Sequence, residues 1–315
     1  MLTSLSVILP VFAVIVAGYI CGRAGLLGPT ASTELNKLVV YLGLPALLFQ
    51  VMAEADWKAL WQPGFVASFA IGMFAIYGAT LLWRVRRGRH LTDASIDGLN
   101  AGYANTGYIG FPLCELLFGR QSLAFATVAT VLTVSLLFAT AVVFMEIGLQ
   151  SERRVGHMVR KVGLALLKNP LVIAPVLGAL WSCTGIALPG GVDATLHLVG
   201  SAASPCALIS LGLFLAVPRP DSRGALKEAL ALSGLKLIGQ PLLTAICAYG
   251  VFRLPPTTAG IVVLLSGLPT GAGSFMIAEF YDREAVVTSK TILFTTVASI
   301  VSITGGLLLL QHLWA

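Results

Sequence analysis

Ten stretches of about 20 mostly apolar residues follow one another along this 315-residue chain, each long enough to cross a bilayer as a helix. Their approximate limits are 4–22, 35–53, 64–83, 94–118, 122–147, 169–187, 194–216, 229–251, 257–281 and 287–311. Inside hydrocarbon a backbone must satisfy its own polar groups, so spans of this length predict an all-α integral membrane protein. Charged residues make up 11% of the chain and hydrophobic ones 57%. A soluble domain carries roughly 25% charged residues. The longest loop, about 148–168, leaves no room for a sizeable soluble domain. A net charge of +6 would suggest nucleic acid in a soluble protein. No basic stretch here interleaves aromatics, so no nucleic-acid partner is expected and the lipid bilayer is.

Loop charge sets the orientation. The odd-numbered loops hold 14 Lys and Arg residues, among them Arg84, Arg86, Arg87 and Arg89 in the third and Arg153, Arg154, Arg160, Lys161 and Lys168 in the fifth. The even-numbered loops hold three, Lys58, Arg120 and Arg253. Odd loops are therefore expected in the cytoplasm and both termini outside. The N-terminal MLTSLSVILP has no basic segment before its apolar run and reads as a retained first span. Cys21, Cys114, Cys183, Cys206 and Cys247 are scattered, without CxxC or Cys/His clusters. No metal site, disulfide framework or cofactor is expected.

The fourth span is not built as a good helix. From Ala104 to Glu115 it reads ANTGYIGFPLCE: Asn105 and Thr106 are polar, Gly107 and Gly110 loosen it, and Pro112 removes a donor. The ninth repeats the design from Pro269 to Glu279, PTGAGSFMIAE. A shift of 164 places Thr106 on Thr270, Gly107 on Gly271, Phe111 on Phe275 and Glu115 on Glu279. A shift of 160 places Pro10 on Pro170, Gly18 on Gly178, Gly25 on Gly185 and Pro45 on Pro205. The chain thus reads as two five-helix repeats, 1–150 and 163–315. Five is odd, so the second enters from the opposite side: inverted repeats with broken crossing helices 4 and 9. Two interrupted spans at corresponding positions point to a transporter's binding site. Half-helix starts present N–H groups and partial positive charge, which suits an anion. Candidate substrate contacts are Asn105, Thr106 and Gly107 in the first break, and Pro269, Thr270, Gly271, Gly273 and Ser274 in the second.

Lys236 is the one basic residue deep in a span, the eighth, and Gln240 lies one turn on, followed by Pro241. Lys236 fits four roles: partner of a substrate carboxylate, proton carrier, occupant of a coupling cation's place, or a side chain snorkelling to the interface. Pro112 and Pro241 are expected to break their helices, and Pro45 and Pro205 to kink spans two and seven at equivalent depth. Glu115, Glu146 and Glu279 end their spans and are expected near water. Gly18 and Gly22 form a GxxxG close-packing pattern.

These residues carry a family resemblance. NTGYIGFPL, Asn105 to Leu113, resembles the fourth-helix crossover of the auxin efflux carrier family, and LPTGAGSF, Leu268 to Phe275, resembles its ninth-helix partner. The length, ten spans and intramembrane lysine resemble the bacterial branch. The resemblance implies a two-domain elevator transporter, similar in fold to sodium/proton antiporters and bile-acid symporters. Helices 1, 2, 6 and 7 would form the scaffold of a homodimer, and helices 3–5 and 8–10 the moving domain. It implies a small organic anion as substrate, such as malonate, malate or an auxin-like acid, proton or sodium coupling, and a bacterial inner (plasma) membrane. Asn105 matches the family's substrate-contacting Asn. The third span has no Asp or Glu, so a carboxylate relay there is not expected. The alternatives are a transporter-fold sensor, a channel or, more remotely, an intramembrane enzyme. No lysine follows a glycine, which excludes a Walker A pump. No deep histidine or aspartate pair serves hydrolysis.

Overall fold

The structure is a computed structural model that describes residues 2–54, 62–149, 164, 167, 168, 170–217, 223–283 and 286–314. Lys58, Arg153, Arg154, Arg160, Lys161, Arg219 and the side chain of Glu279 lie outside what is described. The described residues are helical apart from loops and one isolated two-residue β-bridge. Six helices among them are long and apolar enough to cross a membrane: Ala31–Ala53, Pro63–Arg86, Ser122–Leu149, Gly190–Ala216, Gly224–Val251 and Val286–Leu308. Shorter apolar helices occupy Leu9–Arg23, Thr106–Phe118, Ile173–Ser182 and Pro256–Ser266. The chain divides into two compact units: Met1–Gln62 with Gly107–Val131 and Leu167–Pro218, and Pro63–Thr106 with Leu132–Leu166 and Arg219–Ala315.

In the first unit the packing follows from glycine. Apolar burial drives little between helices already in lipid, so close backbone approach has to supply the contact energy. A Cβ on Gly18 would lie 2.4 Å from the carbonyl oxygen of Ile209, and one on Gly178 would lie 2.3 Å from that of Phe49. The two contacts exchange under the shift of 160 residues. A Cβ on Gly43 would meet Ala203, its own counterpart under that shift, at 3.0 Å. The GxxxG pair is therefore a packing face within the chain, with Gly22 against Ala216. Gln50 Nε2 donates to Asp193 Oδ1 at 2.5 Å across the same unit.

Three of the four prolines sit differently from a simple break. Pro45, Pro112 and Pro241 each occupy the first turn of an α-helix directly after a wide π-helical turn: Val39–Gly43, Thr106–Gly110 and Leu235–Gly239. A proline leaves the carbonyl four residues back without its donor. Widening the turn to i→i+5 bonding lets the residue after the proline take that carbonyl, so the helix runs on with a bulge. Pro205 lies in the first turn of Ala203–Ala216, just past the interruption at Ala202.

The second unit is built round the Pro63–Arg86 helix, whose Phe65, Phe69, Met73 and Tyr77 are buried. Tyr77 shares a hydrogen bond with Ser95 at 2.8 Å, and Ser95 Oγ donates to the Ala141 carbonyl. Ala101, Ala225, Ala229, Leu232 and Val287 close a second buried cluster. At one edge Arg283 holds Asp93 through two bonds, Nε to Oδ1 at 2.7 Å and Nη2 to Oδ2 at 2.6 Å. Burial pushes the Asp93 carboxyl up, but Arg283, joined by Arg89 and His90, outweighs it and holds the group below its ordinary value. A depressed carboxylate stabilises the fold above its unfolded pKa, about 3.9, and loses that contribution as pH falls through the lower folded value. Thermal unfolding followed from pH 7 down to 3 is expected to show this acid limb in the native chain and a smaller one in Asp93→Asn.

Candidate functional site

The two interrupted spans meet through their main chains. Leu91–Gly102 ends at Tyr103, and Pro256–Ser266 ends at Gly267. Each stop frees carbonyls and amides that need partners inside the membrane. They find each other. Asn105 N donates to the Pro269 carbonyl at 2.9 Å, Gly271 N donates to the Tyr103 carbonyl at 3.1 Å, and Ala104 pairs antiparallel with Thr270. Asn105 and Pro269 are the residues that the 164 shift superposes. Side chains complete the joint. Thr270 Oγ1 donates to the Asn100 carbonyl at 2.7 Å, near the end of the first half-helix. Thr270 N donates to Thr295 Oγ1 at 3.1 Å, and Ser274 Oγ donates to the Gly271 carbonyl at 3.0 Å.

Gly271 and Gly273 are required by Tyr103. A Cβ on Gly271 would lie 2.5 Å from Tyr103 Cε1, and one on Gly273 would lie 2.7 Å from the phenol oxygen. The ring is braced by Phe138, with centroids 5.9 Å apart.

Lys236 does not snorkel. It is fully buried, and Nζ donates to the Ser266 carbonyl at 2.7 Å. That carbonyl belongs to the end of the half-helix where the macrodipole is negative, so the lysine caps it. Pro241 packs beside Gly267, which brings the Gly224–Val251 helix against the same interruption. Lys236, Gln240 and Thr244, one turn apart, form a wholly buried polar stripe.

Several buried groups in this region have nothing to bond. Among the described residues, Asn105 Nδ2, both amide atoms of Gln240, Thr244 Oγ1 and Asn100 Oδ1 find no hydrogen-bond partner. Buried polar atoms are nearly always satisfied, so such a concentration needs a ligand or water to account for it. Thr106 is also buried, its amide donating to the Ala104 carbonyl at 2.8 Å. Gly107, Pro112, Pro45 and Pro205 belong to the other unit. Among the described residues no three His, Cys, Asp or Glu side chains come together to hold a metal.

Sequence reading passed over Asn100 and Asp97. Asn100 Nδ2 donates to Thr288 Oγ1 at 2.9 Å, and its carbonyl takes Thr270. Asp97 accepts from Arg84 Nε at 2.6 Å. Polar residues in the first half of an interrupted span were the available signal. Glu146, expected near water, is buried and accepts from Tyr281 at 2.8 Å.

Paired broken helices with unspent polar side chains, in a chain with several helices long and apolar enough to cross a membrane, are the arrangement of a membrane transport protein. Residues 3–306 match the family described as membrane transport protein, and the chain belongs to that family, that of the auxin efflux carriers. A protein of Rhizobium meliloti (strain 1021) named "Putative malonate transporter" is 25% identical over 316 residues, covering 96% of this chain and 95% of its own. An "Uncharacterized transporter" of Methanothermobacter thermautotrophicus is 27% identical over 308 residues, covering 95% and 96%. Auxin efflux carrier component 8 of Arabidopsis thaliana is 24% identical over 343 residues, covering 92% of each.

Proposed function

We propose that this membrane transporter is a secondary active carrier of small organic anions, with carboxylates such as malonate or malate bound at the crossing of spans four and nine. The observation that carries the reading is the main-chain bridge at Asn105 and Pro269. It satisfies the two broken backbones with each other and leaves Asn105 Nδ2, a buried donor, free for a carboxylate. The half-helix that begins at Gly273 adds the partial positive charge of its N-terminus close to the joint, where Gly271 lies beside Asn105. The malonate name of one relative supports the substrate class.

Ten spans in two inverted repeats are part of the same reading. Support comes from the contacts that exchange, or map onto themselves, under the two sequence shifts: Gly18 with Ile209, Gly178 with Phe49, Gly43 with Ala203, and Asn105 with Pro269. An elevator cycle is supported by the division of the chain in that spans one, two, six and seven fall in one unit and three, eight, nine and ten in the other; spans four and five, expected whole in the moving domain, are instead divided between the units after Thr106 and after Val131. Assembly as a homodimer through the first unit, termini on the outer face, and a bacterial inner membrane complete the proposal. Lys236 takes the place of a coupling cation, because its amino group already occupies the carbonyl end of the half-helix.

Uptake of labelled malonate and malate into proteoliposomes, with and without a pH gradient, tests the function. Saturable uptake with counterflow is expected, and unsaturable flux without counterflow would instead mean a channel. Asn105→Ala is expected to weaken apparent substrate affinity about ten- to hundredfold, the worth of one hydrogen bond to a charged group, roughly 1.5–3 kcal/mol. Wild-type affinity in that variant removes Asn105 from the site.

A further inference from the structure

A second polar site lies away from the crossing, where Pro63–Arg86 ends beside the start of Arg223–Gly234. Gly88, at φ +81°, terminates the first helix in a Schellman motif. Arg89 N donates to the Arg84 carbonyl at 3.1 Å and Gly88 N to the Val85 carbonyl at 2.9 Å. The reversal folds Arg89 back toward Arg84. Together with Trp83, Arg87, Lys227 and Glu228, these residues line a pocket of about 500 Å³.

The charges in the pocket do not balance. Arg84 is held by two carboxylates, Nε to Asp97 Oδ2 and Nη2 to Glu228 Oε2, both at 2.6 Å. Arg89 Nε is buried with no hydrogen-bond partner among the described residues, 3.6 Å from the same Asp97 oxygen. Arg87 and Lys227 have no carboxylate partner among the described residues. Among the described residues, four cations thus face two anions. The guanidinium carbons of Arg84 and Arg87 lie 5.6 and 5.5 Å from the Trp83 ring centroid, so the indole fixes one spare cation beside the paired one.

We propose that this pocket binds the phosphate of an anionic phospholipid headgroup, with Arg87 and Lys227 as its principal ligands. The excess of two positive charges matches an anionic phosphate. The surroundings select a lipid over a soluble phosphate. The pocket lies between the ends of two helices long and apolar enough to cross a membrane, Pro63–Arg86 and Gly224–Val251, where a lipid headgroup is at hand. Trp83 is an aromatic of the kind that sits at headgroup level. Basic pockets between membrane helices hold such headgroups through this chemistry. A bound headgroup would tie the third span to the eighth, and its recognition does not depend on what the crossing transports.

The test uses the purified full-length chain in lipid-free detergent. Binding of phosphatidylglycerol, phosphatidylcholine and soluble glycerol 3-phosphate is read by thermal stabilisation, and retained lipid is counted by native mass spectrometry. Arg87→Gln/Lys227→Gln alters two exposed residues and is compared with Lys37→Gln/Arg120→Gln, which removes the same charge in the other unit. Phosphatidylglycerol is expected to stabilise the native chain and the control variant, with affinity roughly thirtyfold weaker in the pocket variant. Phosphatidylcholine and glycerol 3-phosphate are expected to leave the native chain unshifted. An undiminished phosphatidylglycerol response in the pocket variant, or an equal loss in the control, overturns the site. A matching shift with glycerol 3-phosphate overturns the lipid as its ligand.

Discussion

Gly271→Ala is expected to abolish transport and to cost about 1–3 kcal/mol of stability, the usual penalty of forcing a methyl group into a filled space. The added Cβ would come within 2.5 Å of Tyr103 Cε1 and 2.7 Å of Cδ1. Phe138 packs against the ring, and Gly273 leaves only enough room for the phenol oxygen, so the ring has little freedom to yield. The strain therefore falls on the backbone of residue 271, whose amide makes one of the two bonds across the crossing. Thermal unfolding and proteoliposome uptake are the two measurements. The second variant that makes the explanation specific is Gly271→Ala/Tyr103→Leu, which removes the obstructing ring and is expected to recover the lost stability. A Gly271→Ala protein that unfolds and transports like the native chain would show that the contact with Tyr103 is not what keeps residue 271 a glycine.

Lys236→Met carries the second large effect. Methionine keeps most of the volume and removes the donor, so the Ser266 carbonyl is left buried and unpaired at a cost of about 1–3 kcal/mol. The negative end of the half-helix is then uncovered next to the crossing. Transport is expected to fall more than tenfold. Lys236→Arg is not expected to restore it, since the position is fully buried and a forked guanidinium needs more room and more acceptors than one carbonyl supplies. In the native chain, uptake is expected to be the same when external sodium is replaced by potassium, because the cation's place is already taken. Sodium-dependent uptake in the native chain would refute that assignment of Lys236, and unimpaired uptake in Lys236→Met would remove it from the mechanism.

How much of this was legible beforehand depends on how local each signal is. The two interruptions were readable because Asn, Thr, Gly and Pro inside an apolar run violate both helix propensity and lipid solubility at one place. The shift of 164 residues pairs Asn105 with Pro269, and those residues share a hydrogen bond. The prolines were readable as disturbances, but not as bulges, because the preceding wide turn is a backbone adjustment that any side chains can make. Lys236 could not be oriented from its position. Whether a lysine two turns from an interface snorkels or turns inward depends on what lies beside it, and here that is a carbonyl 30 residues away.

Asp97 was hidden for a similar reason. Arg84 reads as one more positive loop charge until Glu228, 144 residues on, is brought to its other side. Asn100 sits in the same half-helix, and its importance arises from Thr270 and Thr288, both contributed by the second half of the chain. Charge counts describe which side of the membrane a loop prefers. They are silent on which of its cations is consumed by a partner and which is left over.

The two bonds between residues 103–105 and 269–271 make the broken spans a single mechanical part. Parting them would bare two amides and two carbonyls inside the membrane, each at a cost of several kcal/mol. No side-chain replacement at these positions, short of proline at 105 or 271, deletes a bond of that joint, because its donors and acceptors are main chain. In the transport cycle proposed above, an opening of the crossing would therefore carry both broken segments together and take its bending from elsewhere in the chain.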